Sequence, residues 1–290
     1  MKKYIDGMSS NAKSIGLILA TMLLFSIMDA IAKQLVQTYP PTQVIWARYA
    51  SQTVATLIIL SPVLHKVVKT KNIKLQLLRS TFLFSATFCF FFSLKYLQLA
   101  QVNAMFQVAP IFVTVLSVII LKEYVGPRRW VGVLVGMFGA LLIIRPGSIS
   151  FSPIILLPAV AALSYASYVI STKYLSNEES ASTSFVYTSL IGSILASILV
   201  VPYWTTIHST DFFIFFGFGL LGALGHFFLI LAFRMTDASF LAPFTYMNLI
   251  FGTLWGFCFF NEVPNYFTIS GAVVIISSGI YIWIRDNQSK

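Results

Sequence analysis

The chain reads as a series of apolar runs about twenty residues long, each interrupted by a short polar or proline-bearing segment. Runs of that length suit helices that rise 1.5 Å per residue across a hydrocarbon core of roughly 30 Å. No run alternates apolar and polar residues as the strands of a membrane barrel do. Cutting at the loop residues predicts ten spans, at 14–37, 42–63, 75–97, 101–121, 128–145, 152–174, 182–203, 210–233, 239–260 and 266–284. The predicted fold is an all-α integral membrane protein.

Composition agrees with the pattern. Of 290 residues 58% are hydrophobic and 10% charged, and the mean hydropathy is +0.85, values outside the range of water-soluble domains. A formal charge of +10 would suggest nucleic acid in a soluble protein, but these Lys and Arg are spread over short loops and line no single face. No nucleic-acid partner is expected. Short basic loops mark the cytoplasmic side. With the N-terminus inside, fifteen of the nineteen basic residues fall there, Lys66, Lys69, Lys71, Lys74 and Arg79 among them, whereas the segments 38–41, 98–101 and 204–209 carry none. Both termini are expected in the cytoplasm, and Lys95 and Arg145, on the other side, are expected to snorkel toward headgroups. Cys89 and Cys258 lie inside apolar runs and read as small buried hydrophobes, not as a disulfide. The first apolar run is too long for a signal-peptide core, and no small-residue cleavage site follows it, so it reads as a mature helix.

A faint repeat runs through the pattern. A shift of 139 lays residues 94–132 over 233–271, with Lys95 on Arg234, Glu123 on Glu262 and Gly132 on Gly271; near the start, a shift of 140 lays Lys33 on Lys173. Five spans per half is an odd number, so a duplicated half enters the membrane upside down. Two inverted five-helix repeats, here 1–147 and 148–290, are the architecture of carriers whose site near the midplane opens to each side in turn.

Several side chains are costly in such a medium. Asp29 and Arg48 lie at similar depth, roughly 12 and 9 Å below the Tyr39–Pro41 turn, and Lys33 is one turn above Asp29. An unpaired charge there costs several kcal/mol, so the three are expected to neutralise one another or to face a wet cavity that receives a charged solute. The repeat position of Asp29 is Val169, so this chemistry belongs to the first half alone. Asn103 and Gln107 share a face of span four ahead of Pro110; Tyr165 and Tyr168 mark span six, His226 span eight, Tyr246 and Asn248 span nine. Rings and amides of this kind suit a flat heteroaromatic or zwitterionic solute, and interhelical hydrogen bonding is the plainer use of the same groups. His226 reads as a packing donor, and Asp29 as the proton site of any coupled transport. The pairs Gly132/Gly136 and Gly252/Gly256 allow close helix contact. There is no GxxxxGK[ST] phosphate loop and no HExxH, and Asp29 is the one acid well inside a predicted span, Asp211 standing at the very start of span eight, which argues against ATP drive, metal chemistry and an enzyme. No cofactor is expected.

The segments LAFRMTDASFLAPFTYMNLIFGTLWGFCFFNEVP (231–264) and KYLQLAQVNAMFQVAPIFVTVLSVIILKEYVGPRRWVGVLVGMFGALLIIRPG (95–147) resemble the closing helices of the two repeats in the ten-helix EamA branch of the drug/metabolite transporter superfamily. That resemblance implies a secondary transporter of the bacterial inner membrane, a monomer or homodimer whose partners are a small-molecule solute and the bilayer. Its relatives move amino acids, nucleosides, sugars, riboflavin or S-adenosylmethionine. The stretch around Ala242, Pro243 and Tyr246 is most similar to uptake members for S-adenosylmethionine or riboflavin. An amino-acid or other metabolite exporter is the alternative within the superfamily, and a non-transporting scaffold subunit the alternative outside it.

Overall fold

A computed structural model describes residues 10–122, 126–145, 152–175, 178–236 and 241–288. We number its main helices α1 (Ser10–Thr38), α2 (Pro41–Leu60), α3 (Ile73–Leu94), α4a (Leu99–Phe106), α4b (Ala109–Ile120), α5 (Pro127–Ile144), α6 (Leu156–Leu175), α7 (Ala181–Val200), α8 (Phe212–Met235), α9 (Met247–Phe260) and α10 (Tyr266–Gln288). Among the described residues no strand occurs. Helix is the form that pairs each backbone polar group within its own segment, which a hydrocarbon solvent requires.

Local sequence sets the ends. Pro41 and Pro127 occupy first turns, where a missing N–H costs nothing. Ser180 caps α7 by accepting from the Thr183 N–H at 2.9 Å, and Asn265 Oδ1 accepts from the Thr268 N–H at 2.8 Å at the head of α10. Asn261 ends α9 in the left-handed region at φ 52°, which lets the Glu262 N–H return to the Gly256 carbonyl at 3.0 Å. Within the helices, hydroxyls satisfy themselves on the preceding turn: Thr21 donates to the Leu17 carbonyl, Thr56 to that of Gln52 and Ser80 to that of Gln76.

Among the described residues, seven stretches are long and apolar enough to cross a membrane: Ala12–Thr38, Pro41–Val67, Ile73–Leu94, Leu99–Ile120, Pro153–Leu175, Ala181–Tyr203 and Phe212–Ala232. The helices of predicted spans five, nine and ten hold shorter apolar cores, Trp130–Ile144, Phe244–Phe260 and Tyr266–Tyr281. The Tyr39–Pro41 turn does not make α1 and α2 each other's main neighbours. Instead α1 packs on α8 and α9, as α6 packs on α3 and on both parts of α4; α2 lies on α7 and α8, and α5 on α10. Exchanging the halves maps this arrangement onto itself. The segment 204–211 is tied to the α1–α2 turn, with Tyr39 Oη donating to Asp211 at 2.7 Å and Gln43 Nε2 to the Thr205 carbonyl at 2.7 Å.

Glycine makes one contact possible that no other residue allows. A Cβ on Gly271 of α10 would lie 2.6 Å from the Gly139 carbonyl oxygen of α5, and one on Gly139 would lie 2.9 Å from that of Gly271. Both obstacles are backbone and cannot turn aside. Gly271→Ala is therefore expected to destabilise the protein by about 1–3 kcal/mol, lowering its melting temperature in detergent. Gly217→Ala, which meets nothing within 4 Å, is the control expected to hold or raise it.

Candidate functional site

Two helices are interrupted at positions that the repeat superimposes. The α4 span breaks at Gln107 and Val108, because Pro110 lacks the N–H that would continue the ladder. In the second half a 3₁₀ stretch, Ala242–Tyr246, with Pro243 in its first turn, leads into α9. The shift of 139 places Gln107 on Tyr246. Corresponding breaks in two halves are where solute-binding backbone is most often found in carriers.

Polar side chains collect beside these breaks. Asn248 Nδ2 donates to Asn103 Oδ1 at 2.7 Å and, at a long 3.4 Å, to Asp29 Oδ2. This chain joins α1, α4a and α9, and its three residues are buried. Gly252 admits Asn103, since a Cβ there would lie 2.6 Å from its Nδ2. One turn along α4, Gln107 Nε2 donates to the Thr245 carbonyl at 3.2 Å. The faces of α4 and α9 thus meet in successive amide contacts.

Arg48, only 2% exposed, lies between α2, α3 and α8. Its Nη1 donates to Thr87 Oγ1 at 2.9 Å and its Nη2 to His226 Nε2 at 2.6 Å. Arginine has no acceptor, so His226 accepts through Nε2 and carries its ring proton on Nδ1. The packing donor expected of His226 is an acceptor here. The guanidinium also lies 4.8 Å from the Tyr49 ring centroid and 5.7 Å from that of Phe91. The repeat shift lays Thr87 on His226, so this one cation ties equivalent points of α3 and α8.

The three-charge cluster expected in the first hairpin does not form. Lys33 leaves Asp29 and pairs with Glu262, Nζ to Oε1 at 2.6 Å, while donating to the Leu97 carbonyl at 2.7 Å. Glu262 Oε2 accepts from the Leu99 N–H at 2.8 Å. The flexible lysine stem reaches a helix end where a carboxylate with backbone support is available, and Asp29 offers no such second contact. The left-handed turn at Asn261 is what aims Glu262 inward. A recess of about 340 Å³ opens beside this pair, lined by Gln37, Lys95 and Tyr96 among others.

Arg79, counted above on the cytoplasmic side, is fully buried. It donates to Thr172 Oγ1 (2.6 Å), Tyr168 Oη (3.0 Å), the Ser184 carbonyl (3.0 Å) and Thr188 Oγ1 (2.9 Å), all on α6 and α7. Tyr165 makes tilted ring contacts with Tyr168 and Phe106. These two tyrosines therefore belong with Arg79 and not with Asp29. Tyr246 is buried against α10, its hydroxyl lodged at Gly279. Glu262, Arg79 and Thr87 were not singled out by sequence; only Glu262 carried a signal, its repeat match to Glu123, which lies outside the described residues. Among the described residues no group of His, Cys, Asp and Glu could hold a metal ion.

The profile of the EamA-like transporter family matches residues 12–145 and again 152–284. The chain belongs to the EamA-like transporter family. This EamA protein is 27% identical to the S-adenosylmethionine uptake transporter of Rickettsia prowazekii, over 100% of its own length and 96% of the relative's. It is 31% identical to the riboflavin transporter of Vibrio cholerae over 90% and 89%, and 25% identical to the pseudopaline exporter of Pseudomonas aeruginosa over 90% and 93%. A crystal structure sharing 14% identity superimposes with a TM-score of 0.72, covering 97% of this chain and 99% of that one, which establishes the shared fold. The EamA chain is a multi-pass membrane transporter of small metabolites.

The Lys33–Glu262 pair, with side chains 7% and 14% exposed, makes a stability test. Lys33→Met alone leaves the partly enclosed Glu262 carboxylate without its cation and is expected to cost about 1–3 kcal/mol. The exchange Lys33→Glu with Glu262→Lys should recover part of that loss, as read from the melting temperature of the purified proteins.

Proposed function

We propose that this EamA transporter is an uptake carrier of the bacterial inner membrane for a solute that joins a flat heteroaromatic ring to polar or zwitterionic groups, the class that includes S-adenosylmethionine and riboflavin. In this reading α1 to α10 all cross the membrane, α4 as one interrupted span, both termini are cytoplasmic, and residues 1–147 and 148–290 are inverted halves. The observation that carries the reading is the Asp29–Asn248–Asn103 chain beside the paired breaks of α4 and α9. It supplies one acid and two amides, next to an arginine bonded to no carboxylate.

The acid suits an ammonium or sulfonium group, and Arg48 suits a carboxylate or a ring carbonyl. In the proposed orientation the Lys33–Glu262 pair and the Leu97–Leu99 backbone close the outer end of the α1, α4 and α9 group. Opening outward would break these contacts, and solute entry would have to repay them. The lack of a nucleotide-binding loop in the sequence leaves an ion gradient, an exchange partner or downhill flux as the drive.

Uptake of labelled S-adenosylmethionine and riboflavin into cells lacking their own carriers, and into proteoliposomes, tests the assignment. Wild-type protein should accumulate at least one of them or exchange it by counterflow; inert vesicles would overturn it. Asp29→Asn should lower initial uptake by roughly tenfold or more, the scale of one charge-assisted contact, with unchanged membrane abundance. Wild-type uptake in that variant would remove Asp29 from the site.

A further inference from the structure

We propose that Gln52 reads the edge of the solute's ring, an inference that rests on the transport reading above and adds a residue and a chemistry to it. Gln52 lies on α2 one turn beyond Arg48, on the same helix face and close to the middle of Pro41–Leu60. It is 0% exposed, and neither its Oε1 nor its Nε2 has a hydrogen-bond partner in the protein. Leaving both ends of a buried amide unpaired costs the full desolvation of each group, and in a membrane bundle a leucine would fill the space without that cost. Most other buried polar groups in this molecule are bonded, down to hydroxyls turned back on their own helices.

Groups on α2, α8 and α9 that belong to the site above are also underused. Arg48 Nε, His226 Nδ1 and Asn248 Oδ1 are buried and unpartnered as well. Gly222 of α8 keeps side-chain bulk away from Arg48 Nε, where a Cβ would come within 3.4 Å. The unpaired set therefore comprises three donors from Gln52, Arg48 and His226 and two acceptors from Gln52 and Asn248.

A primary amide with donor and acceptor both free is complementary to a ring edge that presents an acceptor beside a donor. Adenine has one in N7 and the N6 amino group, the pairing glutamine makes when it reads that base in nucleic acid. The flavin ring has another in its N3–H and neighbouring carbonyls. A carboxylate or an ammonium ion uses half of such an amide. The geometry thus assigns ring recognition to Gln52, and charge recognition to Arg48 and Asp29.

The test uses the full-length protein, purified in detergent, with thermal shift on riboflavin, S-adenosylmethionine and adenosine, and methionine as the ringless control. Wild type should be stabilised by at least one ring solute and much less by methionine. Gln52→Leu should melt at the same or a higher temperature without solute, since an unpaired amide is gone, yet bind the ring solute roughly tenfold or more weakly. If that variant does not fold, Gln52→Met poses the same question with an unbranched side chain. Unchanged ring affinity in the folded variant overturns the proposal, as does a wild type that responds to no ring solute. Proteoliposome flux separates the two levels: ring binding that depends on Gln52 without flux in wild type would support the ring contact and sink the carrier reading.

Discussion

Hydrocarbon offers no hydrogen bonds, and the rest of this structure follows from that scarcity. Every polar group placed within the bilayer has to find its partner inside the protein or cost the fold several kcal/mol. The response here is graded. Hydroxyls turn back on the preceding helical turn, amides meet across α4 and α9, and Lys33 meets Glu262 with backbone support on both sides. Of the groups left incompletely paired, Gln52, Arg48, His226 and Asn248 lie on α2, α8 and α9, while Thr42 and Gln76 stand apart near helix ends.

Arg79 and Arg48, both buried, show how differently one side chain can be accommodated. Arg79 places four hydrogen bonds on neutral oxygens of α6 and α7, a cradle that spreads its charge and joins first-half to second-half helices. Arg48 has two such bonds, two aromatic faces and a free Nε. The first is close to saturated by its surroundings; the second keeps capacity. Such spare capacity separates a group that holds a bundle together from one that can also meet a visitor.

Much of the fold was legible because hydropathy and span length are properties of local sequence. The runs that became α1 to α4 and α6 to α8 could be cut within a few residues, and the shift of 139 anticipated both matches of the family profile. Pairing was less legible. The short turn at Tyr39–Pro41 suggested an intimate hairpin, but α1 finds its larger apolar surface on α8 and α9. Lys33 was read with Asp29 through helical spacing, a rule blind to a carboxylate 229 positions away that only the turn at Asn261 brings near. Charge counting used Arg79 as a cytoplasmic-side marker, and it cannot tell a solvated arginine from one enclosed by Thr172 and Thr188. Gln52 was invisible for the opposite reason: its distinguishing feature is bonds it does not make.

The seam between Gly139 and Gly271 has a mechanical meaning. Two helices that touch through their main chains, with Ile143, Val274 and Ile275 packed around the contact, have little room to slide, so α5 and α10 form a single close-packed rod. Shape changes in the bundle have to be carried by the helices around that rod, with the proline-weakened backbone of α4 and the 3₁₀ approach to α9 as the softest places to bend.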